Sequence, residues 1–143
     1  MELQRAAVSD YVEMLVEGIK PHHQQTMSVL KARQSTKIHE IVEAIETSGF
    51  VALDQQARAL GLGRSTMWVV LQNHYKNTGL SACTIGHMLS SPRLPPRVRA
   101  LVIEYVEDKL AGRYGHNKHQ RRRFASRLAA MLVENGHLKD IAA

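Results

Sequence analysis

Leu53-Asp54-Gln55-Gln56-Ala57-Arg58-Ala59-Leu60-Gly61-Leu62-Gly63-Arg64-Ser65-Thr66-Met67-Trp68-Val69-Val70-Leu71 is the stretch on which the fold turns. It reads as two short helices, Leu53 to Leu60 and Arg64 to about Tyr75, with a glycine hinge between them. Ala57 falls where the helices would cross, and a small side chain there allows close approach. Gly61 stands four residues later, where the turn needs φ > 0 and a residue without Cβ adopts it at no steric cost. Leu62 is placed to pack under the turn, and Ser65 or Thr66 to cap the second helix. Met67, Val70 and Leu71 recur at i, i+3 and i+4 and form its inward face. Arg64, Ser65, Trp68, Val69, Gln72 and Asn73 then point outward.

On either side of this pair the chain is helical almost throughout. Val8, Tyr11, Val12, Leu15 and Ile19 form one amphipathic stripe, closed by Gly18 and Pro21. Pro21 suits the first turn of a second helix through Met27 and Leu30. Ser35 and Thr36 are helix-start residues for a third, with Ile38, Ile41, Val42 and Ile45 inward and Gly49 at its end. Beyond the central pair, a helix runs from Ser81 to about Ser90 and meets the rigid connector Ser91-Pro92-Arg93-Leu94-Pro95-Pro96. Val98, Leu101, Val102, Tyr105 and Val106 mark the next helix. Gly112, Gly115 and Asn117 break it, and Phe124, Leu128, Met131 and Leu132 mark a last one, stopped by Gly136. No segment alternates like a strand between hairpin turns. The expectation is an all-α multi-helix bundle without a sheet. Residues 1–34 would form a helical arm for packing or dimerisation, 35–111 the core, and 112–143 a basic C-terminal helix.

The stretch from Leu53 to Leu71 resembles a helix-turn-helix DNA-binding motif. With the helix from Ser81 as a supporting fourth helix, residues 36–111 are similar to lambda-repressor-like domains. In such motifs the second helix enters the major groove and its first residues reach base edges. Arg pairs bidentately with guanine, and Gln or Asn with adenine. The resemblance therefore implies DNA contacts from Arg64, Ser65, Thr66, Trp68, Val69, Gln72 and Asn73, with Lys76 at the end of the helix. Trp68 has two readings, DNA contact or packing on a neighbouring helix, and packing is the commoner fate of a large aromatic.

A second register lies 18 residues on. Gly79-Leu80-Ser81-Ala82-Cys83-Thr84-Ile85-Gly86-His87-Met88-Leu89 echoes Gly61 to Leu71. With Ser90-Ser91-Pro92 and Pro96-Arg97-Val98-Arg99-Ala100-Leu101-Val102 behind it, this stretch is similar to the DNA-binding headpiece of the LacI family. Tyr75 would hold the crossing position there and push the helices apart. The outward residues Ser81, Ala82, Cys83, Gly86 and His87 offer few donors. The first register is preferred.

Charge supports the same expectation. The 143 residues carry 19 Lys+Arg against 13 Asp+Glu, a net +6. Residues 1–50 hold five basic and seven acidic side chains, whereas residues 51–143 hold fourteen basic and six acidic ones. An excess confined to one part of a small protein is a footprint for a polyanion. Its densest part, Arg113 to Arg127, has six basic residues, two histidines and no acid. Lys118, Arg121, Arg122 and Arg123 are candidates for phosphate neutralisation, with Arg127 on the face of Arg123, although three consecutive positions fan through about 200°. The plain alternative is a solvated face, or Arg stems lying on apolar surface. Arg93, Arg97 and Arg99 are candidates to extend the patch.

Other classes are disfavoured. The length suits one domain with a core of its own. The single Cys83 excludes an intramolecular disulfide, points to a reducing compartment and is expected to pack as a small apolar group. No apolar run approaches the roughly 20 residues of a membrane span. Met1-Glu2-Leu3-Gln4-Arg5 is not followed by the apolar run of a signal peptide. His22 and His23 diverge on a helix, and His116 and His119 lack further ligands, so neither metal nor cofactor is expected. Nothing resembles a nucleophile turn or a phosphate cradle, and Glu104, Glu107 and Asp108 read as a solvated helix face, so the chain is not read as an enzyme. No segment remains for a small-molecule sensing domain, and an effector is not expected. The reading is a cytoplasmic, nucleoid-associated, sequence-specific regulator of transcription that binds double-stranded DNA as a homodimer, with the first or the last helix as its interface. The alternative is a non-catalytic module whose basic C-terminal helix meets an acidic protein or RNA. Sequence-reading RNA binders present aromatic stacking surfaces, and the basic region offers only Tyr114 and Phe124.

Overall fold

The computed structural model of the chain describes residues 26–72 and 78–135. Among them are six α-helices and no strand: α1 (Met27–Thr47), α2 (Leu53–Leu60), α3 (Arg64–Leu71), α4 (Ala82–Ser90), α5 (Pro96–Leu110) and α6 (Lys118–Glu134). The stripe expected from Val8 to Ile19 lies outside the described residues, as do Asn73, Tyr75, Lys76 and Gly136.

The helix ends follow local chemistry. Thr26 caps α1, its Oγ1 accepting from the Val29 amide. Ser81 caps α4 by accepting from Thr84, and Asn117 with Gln120 forms a reciprocal capping box on α6. Pro96 opens α5, where its missing N–H costs nothing. One boundary differs from the sequence reading. Ser35 and Thr36 do not start a helix, because α1 runs unbroken from Met27 to Thr47, through the expected boundary at residues 34 and 35. Thr36 turns its hydroxyl back to the Ala32 carbonyl at 3.0 Å, which satisfies it inside a helix. Gln34, Ile38, Ile41, Val42 and Ile45 make one continuous buried stripe along α1.

α4 is the central helix. It packs along α6 and also touches α5 and α2, while α1 lies on α5. α4 and α6 run side by side. Gly86 meets Met131 so closely that a Cβ on Gly86 would stand 2.8 Å from the Met131 Cβ, and Asn135 Nδ2 donates to Ser90 Oγ at 3.0 Å. α1 and α5 are antiparallel, Lys37 pairing with Glu104 at 3.0 Å and Gln34 meeting Tyr105. The core is aliphatic, with Ile38, Ile41, Ile45, Leu60, Met67, Ile85, Met88, Val98 and Val102 fully enclosed beside the ring pair Tyr105 and Tyr114.

A buried polar clamp holds the segment that leads into α4. The Leu80 amide donates to Tyr105 Oη at 2.9 Å, and that hydroxyl donates to Gln34 Oε1 at 2.9 Å. Lys109 Nζ donates to the carbonyls of Thr78 at 2.7 Å and Leu80 at 3.0 Å. His116 Nε2 lies 3.1 Å from the same Thr78 oxygen, and a carbonyl only accepts, so this nitrogen carries the proton. Burial draws Lys109 down to about 8, helped by the charge of Lys31. Burial also draws His116 down to about 4, with Lys109 and Lys31 adding to it. His116 is thus a neutral donor at pH 7. Gly79, at φ +79°, has no Cβ because one would fall on the Gln34 and Tyr105 oxygens.

Two outcomes follow from the clamp. Gly79→Ala meets both backbone strain and this close approach, whereas Gly112→Ala has the same φ but only ordinary contacts. Urea unfolding is expected to show a loss of about 3 kcal/mol or more for the first and about 1 kcal/mol for the second. Between pH 6.5 and about 4 the unfolded chain binds a proton at His116 that the folded chain refuses. Stability therefore falls as the pH is lowered through that window, by about 3 kcal/mol at most from this group. His116→Asn, which keeps a donor for Thr78, is expected to lose less stability between pH 7 and 4.5 than the parent, read from unfolding midpoints. Lys109 acts in the same sense at higher pH, its contribution rising as the pH climbs from about 8 to 10.5.

Candidate nucleic-acid interface

The hinge between α2 and α3 takes the form its glycine predicts. Gly61 is left-handed at φ +68°, its amide donates to Arg58 O at 3.3 Å, and the Leu62 amide donates to Ala57 O at 2.9 Å. These two bonds meet the last carbonyls of α2, with Ala57 and Leu62 buried together beneath them. The hinge is seated on the C-terminal end of α4. A Cβ on Gly61 would stand 2.8 Å from the His87 carbonyl oxygen, and Ser91 Oγ donates to Ala59 O at 2.7 Å.

This seat sets which face of α3 looks outward. Met67 and Val70 are buried and Leu71 half-buried. Arg64, Ser65, Thr66, Trp68 and Gln72 are exposed and Val69 half-buried. The expected cap by Ser65 or Thr66 is not made. Gly63 occupies the N-cap position, no side chain caps α3, and both hydroxyl residues fall inside its first turn. α3 also ends at Leu71 rather than near Tyr75. Trp68 keeps 46% of its surface, so packing covers only part of the ring. Arg64 Nε lies 3.5 Å from Asp54 Oδ1, but both groups are well exposed and such a pair is weak. The guanidinium remains available to another acceptor.

The second register is less favoured by the packing. α4 buries Ala82, Ile85, Gly86, Met88 and Leu89, and only Ser81, Cys83 and His87 are exposed along it. A helix enclosed by α2, α5 and α6 has little surface left for a groove. Cys83 does not pack as an apolar group, because the buried positions of α4 start at Ala82 and turn away from it.

The basic residues divide into three sets with different work. Arg121 Nη1 donates to Leu110 O at 3.2 Å, and its guanidinium lies against Gly112. Arg121 thus closes the end of α5 instead of offering its whole fork to phosphate. Arg99 likewise donates to Leu89 O at 3.2 Å and Ser91 O at 3.4 Å, serving the end of α4 and not the basic patch. Lys118, Arg122 and Arg123 are exposed on α6, as are Arg93 and Arg97 near the connector. Arg123 and Arg127, with Lys109, line a cleft of about 430 Å³ between α4, α5 and α6. Sequence reading passed over Lys109. Its signal was its place four residues beyond Tyr105, on the apolar stripe of α5.

The α3 face and the α6 cations sit in different packing layers, α3 mainly on α2, and α6 on α4 and α5. Much of the apolar side of α6 is used within the chain, Phe124 and Leu128 being buried and Met131 and Leu132 half-buried. Tyr114 and Phe124 are interior and give the basic region no stacking surface. Tyr114 donates to Asp108 at 3.2 Å, and burial with that carboxylate pushes the phenol well above its ordinary value. The expected solvated acidic face is therefore only partly so: Glu104 pairs with Lys37, and Asp108 also accepts from Arg113 at 2.9 Å. Among the described residues no group of three His, Cys, Asp or Glu could hold a metal, and no helix is long and apolar enough to cross a membrane. No family model, curated protein or solved structure matches the chain.

Proposed function

We propose that the chain is a helix-turn-helix regulator of transcription that reads double-stranded DNA with α3. The observation that carries this reading is the outward face of α3, Arg64, Ser65, Thr66, Trp68 and Gln72, on a helix whose opposite side is locked into the core by Met67 and Val70. A short helix offered this way, with its first-turn amides free of any side-chain cap, has the shape and polarity to enter a major groove. Arg64 and Gln72 suit guanine and adenine edges respectively. Lys118 and Arg122 on α6 supply charge for phosphates without base selection. Paired half-sites would be read by a homodimer.

The test is selection of bound fragments from random duplexes, followed by titration at several salt concentrations. A preferred site, palindromic for a dimer, is expected. Arg64→Ala and Gln72→Ala are expected to lower discrimination against the wrong base by about 1–3 kcal/mol each while keeping non-specific affinity. Absence of any preferred duplex, or a preference that survives both substitutions, refutes the assignment. Arg122→Ala is expected to weaken all duplexes alike and to make the slope of log K against log salt shallower by about one unit. An unchanged slope removes α6 from the interface.

A further inference from the structure

We propose that the cleft between α4, α5 and α6 is a binding site for a small phosphomonoester. Its dianionic phosphoryl group would sit among Lys109, Arg123, Arg127 and the N-terminal end of α4 at Ser81. The site does not depend on the reading of α3.

The first observation is charge without counter-charge. Lys109, His116, Arg123 and Arg127 line the cleft, and among the described residues no carboxylate does. Among the described residues, Asp54, Glu104 and Asp108 are paired elsewhere, with Arg64, Lys37 and Arg113. Lys109 is only 4% exposed, yet its hydrogen-bond partners are two neutral carbonyls and its nearest ring is Phe124, at 4.4 Å. A buried cation ordinarily has an anion beside it. Lys31 adds to the positive field and depresses the Lys109 ammonium further. An arriving dianion would relieve that repulsion.

The second observation is an unmet polar atom. His116 is 7% exposed, lines the cleft and spends Nε2 on Thr78, while its buried Nδ1 has no hydrogen-bond partner among the described residues. A buried ring nitrogen left this way calls for a ligand hydroxyl, or for a proton that a neighbouring anion would stabilise. The third observation is shape. About 430 Å³ falls within the range of sites for small metabolites, and Phe124 provides an apolar wall. Ser81 and Ala82 bring the start of α4, where the helix dipole favours negative charge, to the same cleft.

Phosphate could reach the cleft from a free ester or from a nucleic-acid backbone. The depth of Lys109 favours the first. A terminal phosphate can enter a cleft to meet a buried ammonium, whereas a duplex phosphodiester is held on a wide, stiff rod.

The test uses the full chain with inorganic phosphate and glycerol 3-phosphate as probes, against sodium chloride at matched ionic strength. Calorimetry and backbone amide NMR shifts are the readouts. Lys109 is left in place because it also holds the segment before α4. Saturable binding is expected, with shifts centred on Ser81, Ala82 and the start of α6. The double substitution Arg123→Gln and Arg127→Gln, both exposed positions, is expected to weaken binding at least tenfold. Arg93→Gln with Arg97→Gln, which removes the same charge elsewhere, is expected to change it less than twofold. Binding that chloride reproduces, or that both pairs weaken alike, overturns the proposal. A duplex with 5′-hydroxyl ends is the third arm. If it displaces bound phosphate and depends equally on Arg123 and Arg127, the cleft is a backbone contact and the small-ligand site is overturned.

Discussion

The ammonium of Lys109, enclosed between the Tyr105 and Phe124 rings, is the interaction on which the arrangement of the helices depends. It reaches the carbonyls of Thr78 and Leu80, while Tyr105 takes the Leu80 amide and His116 shares Thr78. Three backbone groups ahead of α4 are thus met from α5 and the turn before α6. The balance is narrow. Removing a lysine charge from water costs several kcal/mol. Two charge-assisted bonds of about 1.5–3 kcal/mol each and a ring contact of up to about 2 kcal/mol offset it. With its ammonium drawn down to about 8, Lys109 keeps its proton at pH 7 by little more than about 1 kcal/mol.

That clamp fixes where α4 begins, and α4 in turn fixes the hinge. Two glycines allow close approaches at α4. Gly61 lets the α2–α3 turn rest on the His87 carbonyl, and Gly86 lets α4 lie against Met131 of α6. A methyl group at either place would separate layers rather than fill a gap. The direction of the α3 face is therefore decided by the hinge and its seat on α4 together with the burial of Met67 and Val70. Substitution at Gly61 or Gly86 would disturb α3 without touching a single outward residue.

The helix boundaries that could be read from sequence were those set by local chemistry. Leu53 to Leu60 is bounded by a left-handed glycine, Ser81 caps α4, Pro96 opens α5 and Asn117 caps α6. The stripe of α3 likewise placed Met67 and Val70 inside and Arg64 and Gln72 outside. Errors arose where a residue type has two uses. Ser35 and Thr36 can start a helix or sit within one, and only the continuing stripe from Gln34 to Ile38 settles it. Arg121 and Arg99 read as surface charge, yet both reach carbonyls at the end of another helix, a contact no local pattern displays. Cys83 reads as interior by its residue type, although its place one step from Ala82 turns it outward.

The basic stretch from Arg113 to Arg127 shows why net charge alone overstates an interface. Arg113 is bound to Asp108, Arg121 to the end of α5, and Arg123 and Arg127 border a cleft. Lys118 and Arg122 are left as outward charges of that stretch with no such engagement described. A duplex met by α6 would thus release few counterions there, and steep salt dependence would require charge from other elements as well. Arg64 on α3, with Arg93 and Arg97 near the connector, is exposed and can supply it. Affinity and base selection in the proposed complex would then share the α3 side of the molecule. The cleft, where the buried Lys109 lies behind Arg123 and Arg127, suits a ligand of another size.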